Sequence, residues 1–184
     1  MGAAIAALLA NVGLSVLLLD VVPQQLTPEE ESGGLTLSDP AVRNRLAQAG
    51  FERACRAKPA AFVDHAAEQR ITIGNVEDDL AQLAEADWII EAIIEQLPPK
   101  QALMAQIETV RRPDSYVTSN SSGLPMAAIA EGRSLNFKQH FLGTHFFNPP
   151  RYLKLLEVIP TAETDADVTQ TLAQFGETTL QKGI

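Results

Sequence analysis

A histidine at position 145 is the residue of this sequence best suited to acid-base chemistry. It lies in the segment GTHFFNPP (residues 143–150), three residues before Asn148, and an apolar run further along includes one carboxylate, Glu157. A carboxylate partner holds an imidazole in one tautomer and stabilises its protonated form, and a nearby amide can hold a reacting group in place. The segment therefore predicts a general base with an orienting carboxylate.

Each of these residues also has a purely structural interpretation. A histidine beside two phenylalanines is often a core residue with one satisfied ring nitrogen, and Glu157 could be the solvent-facing position of an edge strand. The serines at 119–122 could form a strand-to-helix turn, with Ser121 as a cap. The distance between the His145 and Glu157 side chains decides between the two interpretations.

Short apolar segments alternate with helix-length segments, and this alternation must position the candidate residues. The predicted strands are 15–19, 71–73, 88–94, 116–119, 140–146 and 154–158. The predicted helices are 2–10, a pair within 40–70, 76–85, 99–110, 125–130 and 165–175, while residues 177–184 are expected to open another strand. This pattern is typical of an α/β fold with a doubly wound, mostly parallel sheet that is covered by helices on both faces.

Gly2 and Asp20 have a spacing that matters in such a sheet. Glycines in the first crossover approach a pyrophosphate, and an acidic residue at the end of the second strand binds the adenosine ribose. Gly2 matches the last of those glycines and Asp20 the acid, so we expect the chain to begin inside the phosphate-binding loop. They could instead be a helix-packing glycine and a loop aspartate. As a cofactor site, Asp20 favours NAD over NADP, because its carboxylate repels a 2′-phosphate.

Composition narrows the class of protein. The 184 residues are 46% hydrophobic and carry a formal charge of −9, which suits one globular domain over residues 1–184 and disfavours nucleic acid as a partner. One segment is an exception: residues 40–70 hold six basic side chains against three acidic ones. The basic residues are Arg43, Arg45, Arg53, Arg56, Lys58 and Arg70.

The sequence predicts neither a metal site nor a membrane segment. Cys55 is the single cysteine, which indicates a reducing compartment such as the cytoplasm, and the three histidines lack metal-ligand spacing. The uncharged residues 1–19 have no basic start and are interrupted at Gly13, so they read as a helix and a strand instead of an anchor.

Taken together, five segments resemble the NAD-binding domain of the L-3-hydroxyacyl-CoA dehydrogenases of fatty acid β-oxidation, and the long bacterial form most closely. The resemblance extends over essentially all of the chain and is carried by MGAAI (1–5), EAIIE (91–95), SNSSGL (119–124), GTHFFNP (143–149) and KLLE (154–157). It implies a Rossmann-like fold, NAD as cofactor and an acyl-CoA substrate.

The resemblance also implies roles for individual residues. The catalytic group would be His145 as base, Glu157 as its carboxylate partner and Ser122 near the substrate hydroxyl. Cofactor contacts are implied for Gly2, Asp20, Glu95, Lys100, Asn120 and Asn148. Substrate contacts are implied for Ser122 and Asn148, and for Arg53, which would meet the CoA phosphates from a helical arm at about 40–70.

The same resemblance implies parts that this sequence lacks. Members of the family have a first, central strand and a C-terminal helical domain that forms most of a homodimer interface. We therefore expect the chain alone to be unstable and inactive. Two other hypotheses stay open: a non-catalytic nucleotide-binding remnant, and a related dehydrogenase of short hydroxy acids or sugar acids.

Overall fold

The computed structural model describes all 184 residues. The chain divides into two compact units, one formed by Ala3–Leu80 and the other by Met1–Gly2 together with Ala81–Ile184. Each unit has its own sheet.

The unit Ala3–Leu80 combines several short helices with a two-stranded sheet. Its elements are α1 (Gly2–Asn11, which begins one residue earlier), β1 (Val16–Asp20), α2 (Pro28–Ser32), α3 (Pro40–Arg43), α4 (Arg45–Cys55), α5 (His65–Glu68) and β2 (Ile71–Asn75). The strands β1 and β2 are parallel, in the register Val16↔Ile71 to Asp20↔Asn75. Parallel pairing places the carboxyl end of β1, with Asp20, beside the end of β2.

Small side chains allow α1 to pack closely in this unit. The core contains Ala7 and Ala10 of α1 with Ala54, Phe62 and Ala67. Phe51 of α4 meets the Phe62 ring edge-on, with ring centroids 5.9 Å apart. An edge-to-face pair of this kind adds to the apolar burial that holds the arm helices in place.

The unit that includes Ala81–Ile184 carries the larger sheet. Its elements are β3 (Trp88–Glu91), α6 (Leu97–Val110), β4 (Tyr116–Ser119), α7 (Met126–Ile129), α8 (Leu135–Gln139), β5 (Phe141–Phe146), β6 (Leu156–Pro160) and α9 (Ala166–Thr178). A 3-10 helix, Leu80–Glu85, leads into the unit. The sheet order is β3-β4-β5-β6, with β3, β4 and β5 parallel and β6 antiparallel to β5.

The parallel strands bring their carboxyl ends to one edge of this sheet. Glu91 at the end of β3 is opposite Ser119 at the end of β4, and Ser119 is opposite Gly143 in β5. In open α/β sheets ligands bind at this edge, because the loops that follow the strands are free to build a site there. A core of Leu142, Val168 and Leu172 supports the sheet from α9.

The α/β class and the mostly parallel sheets predicted from the sequence are confirmed. Several elements differ from the expectation. The segment 76–85 forms a turn and a 3-10 helix, β3 ends at Glu91 instead of 94, and residues 177–184 extend α9 and then make only an isolated bridge, Leu155↔Gly183. Two short helices, α2 and α8, were not predicted.

Candidate active site

His145 and Glu157 are direct neighbours across the antiparallel pair β5 and β6. They occupy the same register position, where side chains on one face of a sheet lie within reach of each other. The distance from His145 Nδ1 to Glu157 Oε2 is 2.7 Å. The His145 side chain is 17% exposed and that of Glu157 is 49% exposed, and the Phe147 ring lies 4.5 Å from the imidazole, centroid to centroid.

This pair fixes the tautomer of His145. An ionised carboxylate can only accept a hydrogen bond, so the neutral imidazole carries its proton on Nδ1 and keeps the lone pair on Nε2. Nε2 is then a proton acceptor, and the carboxylate stabilises the imidazolium that forms when Nε2 takes a proton. The arrangement is that of a general base with an orienting partner.

The loop after β4 is tied to the end of β5. Asn120 Oδ1 accepts a hydrogen bond from Phe146 N at 2.8 Å, and Asn120 N donates to Glu91 O at 2.8 Å. Ser122 follows in this loop; its side chain is exposed, and its backbone N–H donates to Glu95 Oε1 at 3.0 Å. The Asn120 carboxamide thus holds the Ser122 loop to the strand that carries His145.

Asn148 lies just beyond β5 and is exposed. The turn that follows it is held by Lys182, a buried residue that the sequence did not single out. Lys182 Nζ donates to Leu153 O at 2.5 Å and also to Pro150 O. Burial, and then the charge of Lys154, lowers the pKa of the Lys182 ammonium.

Glu95 and Lys100 belong to a network of charged and hydroxyl groups at the ends of β3 and β4. Glu95 Oε1 accepts hydrogen bonds from Gly123 N at 2.9 Å and from Ser121 Oγ, and Lys100 Nζ lies 3.3 Å from Glu95 Oε2. Burial opposes ionisation, but the bonds from Ser121 and Gly123 and the Lys100 ammonium outweigh it and lower the pKa of Glu95 to about 2. Glu95 is therefore an ionised carboxylate that these hydrogen bonds hold in place.

Sequence reasoning passed over Glu91, which completes this network. Its carboxylate accepts from Lys100 Nζ at 2.6 Å and from Ser119 Oγ at 2.5 Å. The signal was present in the strand sequence Trp88-Ile89-Ile90-Glu91, because a charged residue among buried apolar ones needs a specific partner.

Gly2 and Asp20 lie in different units, and each has features suited to a dinucleotide. Gly2 opens the ten-residue helix α1, whose first turn contains no acidic side chain to occupy its free N–H groups. Asp20 is exposed at the carboxyl end of β1, and its Oδ1 accepts a hydrogen bond from Val21 N at 2.8 Å. A helix N-terminus suits a pyrophosphate, and an exposed strand-end carboxylate suits ribose hydroxyls.

The predicted site residues thus separate into two groups. His145, Glu157, Ser122, Asn120, Asn148, Glu95, Lys100 and Gly2 belong to one unit, and Asp20 and Arg53 belong to the other. Arg53 is an exposed residue in the last turn of α4.

No group of three or more histidine, cysteine or acidic side chains is placed to hold a metal ion. None of the helices is both long and apolar enough to cross a membrane.

A mostly parallel sheet with a histidine–carboxylate pair at the edge formed by the carboxyl ends of β3, β4 and β5 is the arrangement expected of a dinucleotide-binding dehydrogenase domain. The family model described as "3-hydroxyacyl-CoA dehydrogenase, NAD binding domain" matches residues 1–184. The chain therefore belongs to this family, and NAD is its cofactor.

Named relatives agree with this assignment. The chain is 50% identical over 184 residues to a probable 3-hydroxyacyl-CoA dehydrogenase of Bacillus subtilis and 50% identical over 184 residues to one of Deinococcus radiodurans. Both matches include 100% of this chain, but they cover only 23% of the length of the first relative and 49% of that of the second. The chain thus spans a quarter to a half of the curated relatives it matches.

A solved structure shows the same fold. The crystal structure of 3-hydroxybutyryl-CoA dehydrogenase from Escherichia coli matches with a TM-score of 0.71 and 30% identity, over 99% of this chain and 34% of that one. The Rossmann-like fold expected from the sequence is confirmed.

Proposed function

We propose that the protein containing this chain oxidises L-3-hydroxyacyl-CoA to 3-ketoacyl-CoA with NAD, as a step of fatty acid β-oxidation. The observation that carries the proposal is the 2.7 Å hydrogen bond between His145 Nδ1 and Glu157 Oε2 in a domain of this family. The relatives from Bacillus subtilis and Deinococcus radiodurans are both named probable 3-hydroxyacyl-CoA dehydrogenases, which supports the substrate class.

The residues of the chain divide the reaction between them. His145 Nε2 accepts the proton of the substrate 3-hydroxyl, and Glu157 stabilises the resulting imidazolium. Bound NAD supplies the acceptor for the hydride that leaves the same carbon. Ser122, exposed in the loop after β4, and Asn148, exposed just beyond β5, position the reacting oxygen. In the reverse direction the imidazolium returns its proton to the ketone oxygen.

Binding is assigned to residues that take no part in the proton transfer. The α1 N-terminus at Gly2 would hold the pyrophosphate, and Asp20 would bind the adenosine ribose. Glu95 would contact the cofactor and Asn120 would line the same cleft. Lys100, which was expected to contact the cofactor, has a side chain that is only 1% exposed, so it would act through its ion pair with Glu95. Arg53 would pair with a CoA phosphate, because guanidinium groups form strong hydrogen bonds to phosphate.

We also propose a setting for the protein. A single exposed cysteine, Cys55, suits the reducing cytoplasm. The resemblance to the family supports a homodimer, with its interface outside these 184 residues, and it supports our inference that the isolated chain is inactive. Sedimentation of the longest natural form, beside an activity assay of the 184-residue chain, measures both.

Substrate profiling tests the proposed function. The longest natural form of the protein should reduce NAD with L-3-hydroxybutyryl-CoA and with longer L-3-hydroxyacyl-CoA esters. It should reduce NAD only slowly with free 3-hydroxybutyrate or with sugar acids, because these substrates lack the CoA phosphates. Equal or faster turnover of the free acids would contradict the proposal in favour of a hydroxy-acid dehydrogenase.

A further inference from the structure

A fully buried carboxylate, Glu91, has no part in the proton transfer proposed above. Its side chain is 0% exposed, at the end of β3. Burying an ionised carboxylate is costly unless it is paired and hydrogen-bonded. The contacts of Glu91 therefore show what the buried charge does.

Glu91 joins three separate elements. Its Oε1 accepts from Lys100 Nζ of α6 and from Ile93 N, each at 2.6 Å, and its Oε2 accepts from Ser119 Oγ of β4 at 2.5 Å. Ser119 Oγ in turn accepts from Ser121 N at 3.2 Å, inside the loop that contains Ser122. One carboxylate thus fixes the start of α6 and the loop after β4.

Lys100 connects Glu91 to Glu95. Its side chain is only 1% exposed, and its ammonium lies between Glu91 Oε1 at 2.6 Å and Glu95 Oε2 at 3.3 Å. Glu91 and Glu95 are the two carboxylates in contact with this ammonium, and Ile93 O at 3.3 Å is its third acceptor. Glu95 is 41% exposed, so it is the member of the network that a ligand can reach.

We propose that Glu91 is a positioning residue for cofactor binding, which acts through Lys100 to hold Glu95 in the orientation that contacts NAD. This inference rests on the proposed role of Glu95. A neutral amide at position 91 would leave Glu95 as the single carboxylate partner of the buried ammonium. Lys100 would then shift towards Glu95 and occupy the carboxylate that should face the ligand.

A double-mutant cycle tests the proposal in the longest natural form of the protein. NADH affinity is measured by fluorescence titration for the wild type, Glu91→Gln, Glu95→Gln and the combined variant. Each single variant should weaken NADH binding about 10-fold, and the combined variant should bind no more weakly than Glu95→Gln alone, because groups in one network are not additive. Glu108→Gln is the matched control, since Glu108 is part-buried and is bonded by Arg133 and Ser134 outside this network.

Steady-state kinetics supply a readout that loss of fold would not give. Glu91→Gln should raise the KM for NAD by a larger factor than it lowers kcat, because the His145–Glu157 pair is untouched while Glu95 loses its orientation. If Glu91→Gln does not fold, Glu91→Gln combined with Lys100→Met removes both buried charges at similar volume and should fold. That variant should also weaken NADH binding about 10-fold, because Glu95 has lost its ammonium partner.

The measurements distinguish a failure of the proposed role of Glu95 from a failure of the proposed role of Glu91. Unchanged NADH affinity in Glu95→Gln would overturn the proposed role of Glu95 and, with it, the role of Glu91. Weaker binding in Glu95→Gln with a fully additive effect of Glu91→Gln would overturn the positioning role alone. Wild-type affinity in a folded variant without the Glu91 carboxylate would also overturn it.

Discussion

At the scale of single residues, the site depends on which atom of His145 faces Glu157. Nδ1 makes the contact at 2.7 Å, so Nε2 remains the basic atom of the neutral ring. The sequence was sufficient to single out both residues, because a histidine beside two phenylalanines and one carboxylate in a later apolar run are the parts of a base with an orienting partner. It could not show that they are direct cross-strand neighbours, because register depends on where each strand begins.

The network around Lys100 illustrates the opposite case. Family resemblance pointed to Glu95 and Lys100, but nothing in the local pattern showed that Lys100 is 1% exposed and shared with Glu91. Burial of a lysine depends on packing between α6, β3 and β4, which are distant in sequence. Only the folded arrangement reveals such a partner.

Glu157→Gln tests the orienting carboxylate. The amide can still accept a hydrogen bond but does not stabilise an imidazolium, so kcat should fall by about 100-fold while the KM for NAD changes little. Glu163→Gln is the control, because Glu163 is 42% exposed and ion-paired to Lys138 but follows β6 and takes no part in its pairing with β5. A fall of the same size in both variants would mean that Glu157 has no specific role.

Asp20→Asn tests the adenosine end of the cofactor site. Removing the negative charge should reduce the preference for NADH over NADPH by about 10-fold, since the repulsion of a 2′-phosphate is lost. Fluorescence titration with both nucleotides measures the ratio. Asp39→Asn changes another aspartate of the same unit, one that is half-buried and bonded to Thr36, and its ratio should equal that of the wild type. An unaltered ratio in Asp20→Asn would remove Asp20 from the site.

At the scale of elements, the sequence predicted the strands better than the short helices. The strand 116–119 was placed at its observed limits, because an apolar segment between polar turns has few alternatives. Residues 76–85 were expected to be an α-helix, yet Asn75 Oδ1 accepts from Glu77 N and Asp78 N and forms a turn first. Such side-chain bonds compete with helical ones, so only a 3-10 helix follows.

The loop after β4 and the start of α6 are coupled by Glu95, which predicts a pH effect. The pKa of this carboxyl is lowered from 4.5 to about 2 in the folded chain. A depressed carboxyl pKa stabilises the fold above the unfolded value, so the stabilisation is complete above pH 4.5 and is lost as the pH falls towards 2. Glu95→Gln should therefore flatten the pH dependence of the unfolding free energy in this window, by about 1–2 kcal/mol after allowance for solvent screening.

Urea titrations at several pH values measure this effect. Glu163→Gln should keep the wild-type slope, because no comparable network holds Glu163. Identical slopes for the wild type and Glu95→Gln would show that the Ser121 and Gly123 bonds do not stabilise the loop.

Close packing of β5 against its neighbours predicts a glycine requirement at position 143. A Cβ there would lie 2.9 Å from Met126 Sδ and 3.1 Å from Ile159 Cβ. Gly143→Ala should lower the unfolding free energy by about 1–3 kcal/mol, as overpacked cores do. Met126→Ala should cost less stability in the Gly143→Ala protein than in the wild type, because it removes the side chain that the new Cβ would meet. If the two substitutions instead have strictly additive effects on the unfolding free energy, the steric explanation is contradicted.

At the scale of the whole molecule, both sheets end in strands with an unpaired edge. β1 pairs only with β2, and β3 pairs only with β4. Unpaired edges are templates for association, so we expect the isolated 184-residue chain to self-associate with increasing concentration. Sedimentation velocity measures this, and a chain that stays monomeric over a wide concentration range would show that its edges are protected.

The central claim is that His145 is the base in an NAD-linked oxidation of a 3-hydroxyacyl-CoA. The most direct measurement is the single-turnover rate of NADH formation in His145→Gln, together with its NADH affinity, in the longest natural form of the protein. We predict a rate at least about 100-fold below that of the wild type, with NADH affinity within about twofold, because the ring transfers a proton and does not anchor the cofactor. A rate close to that of the wild type would contradict the claim.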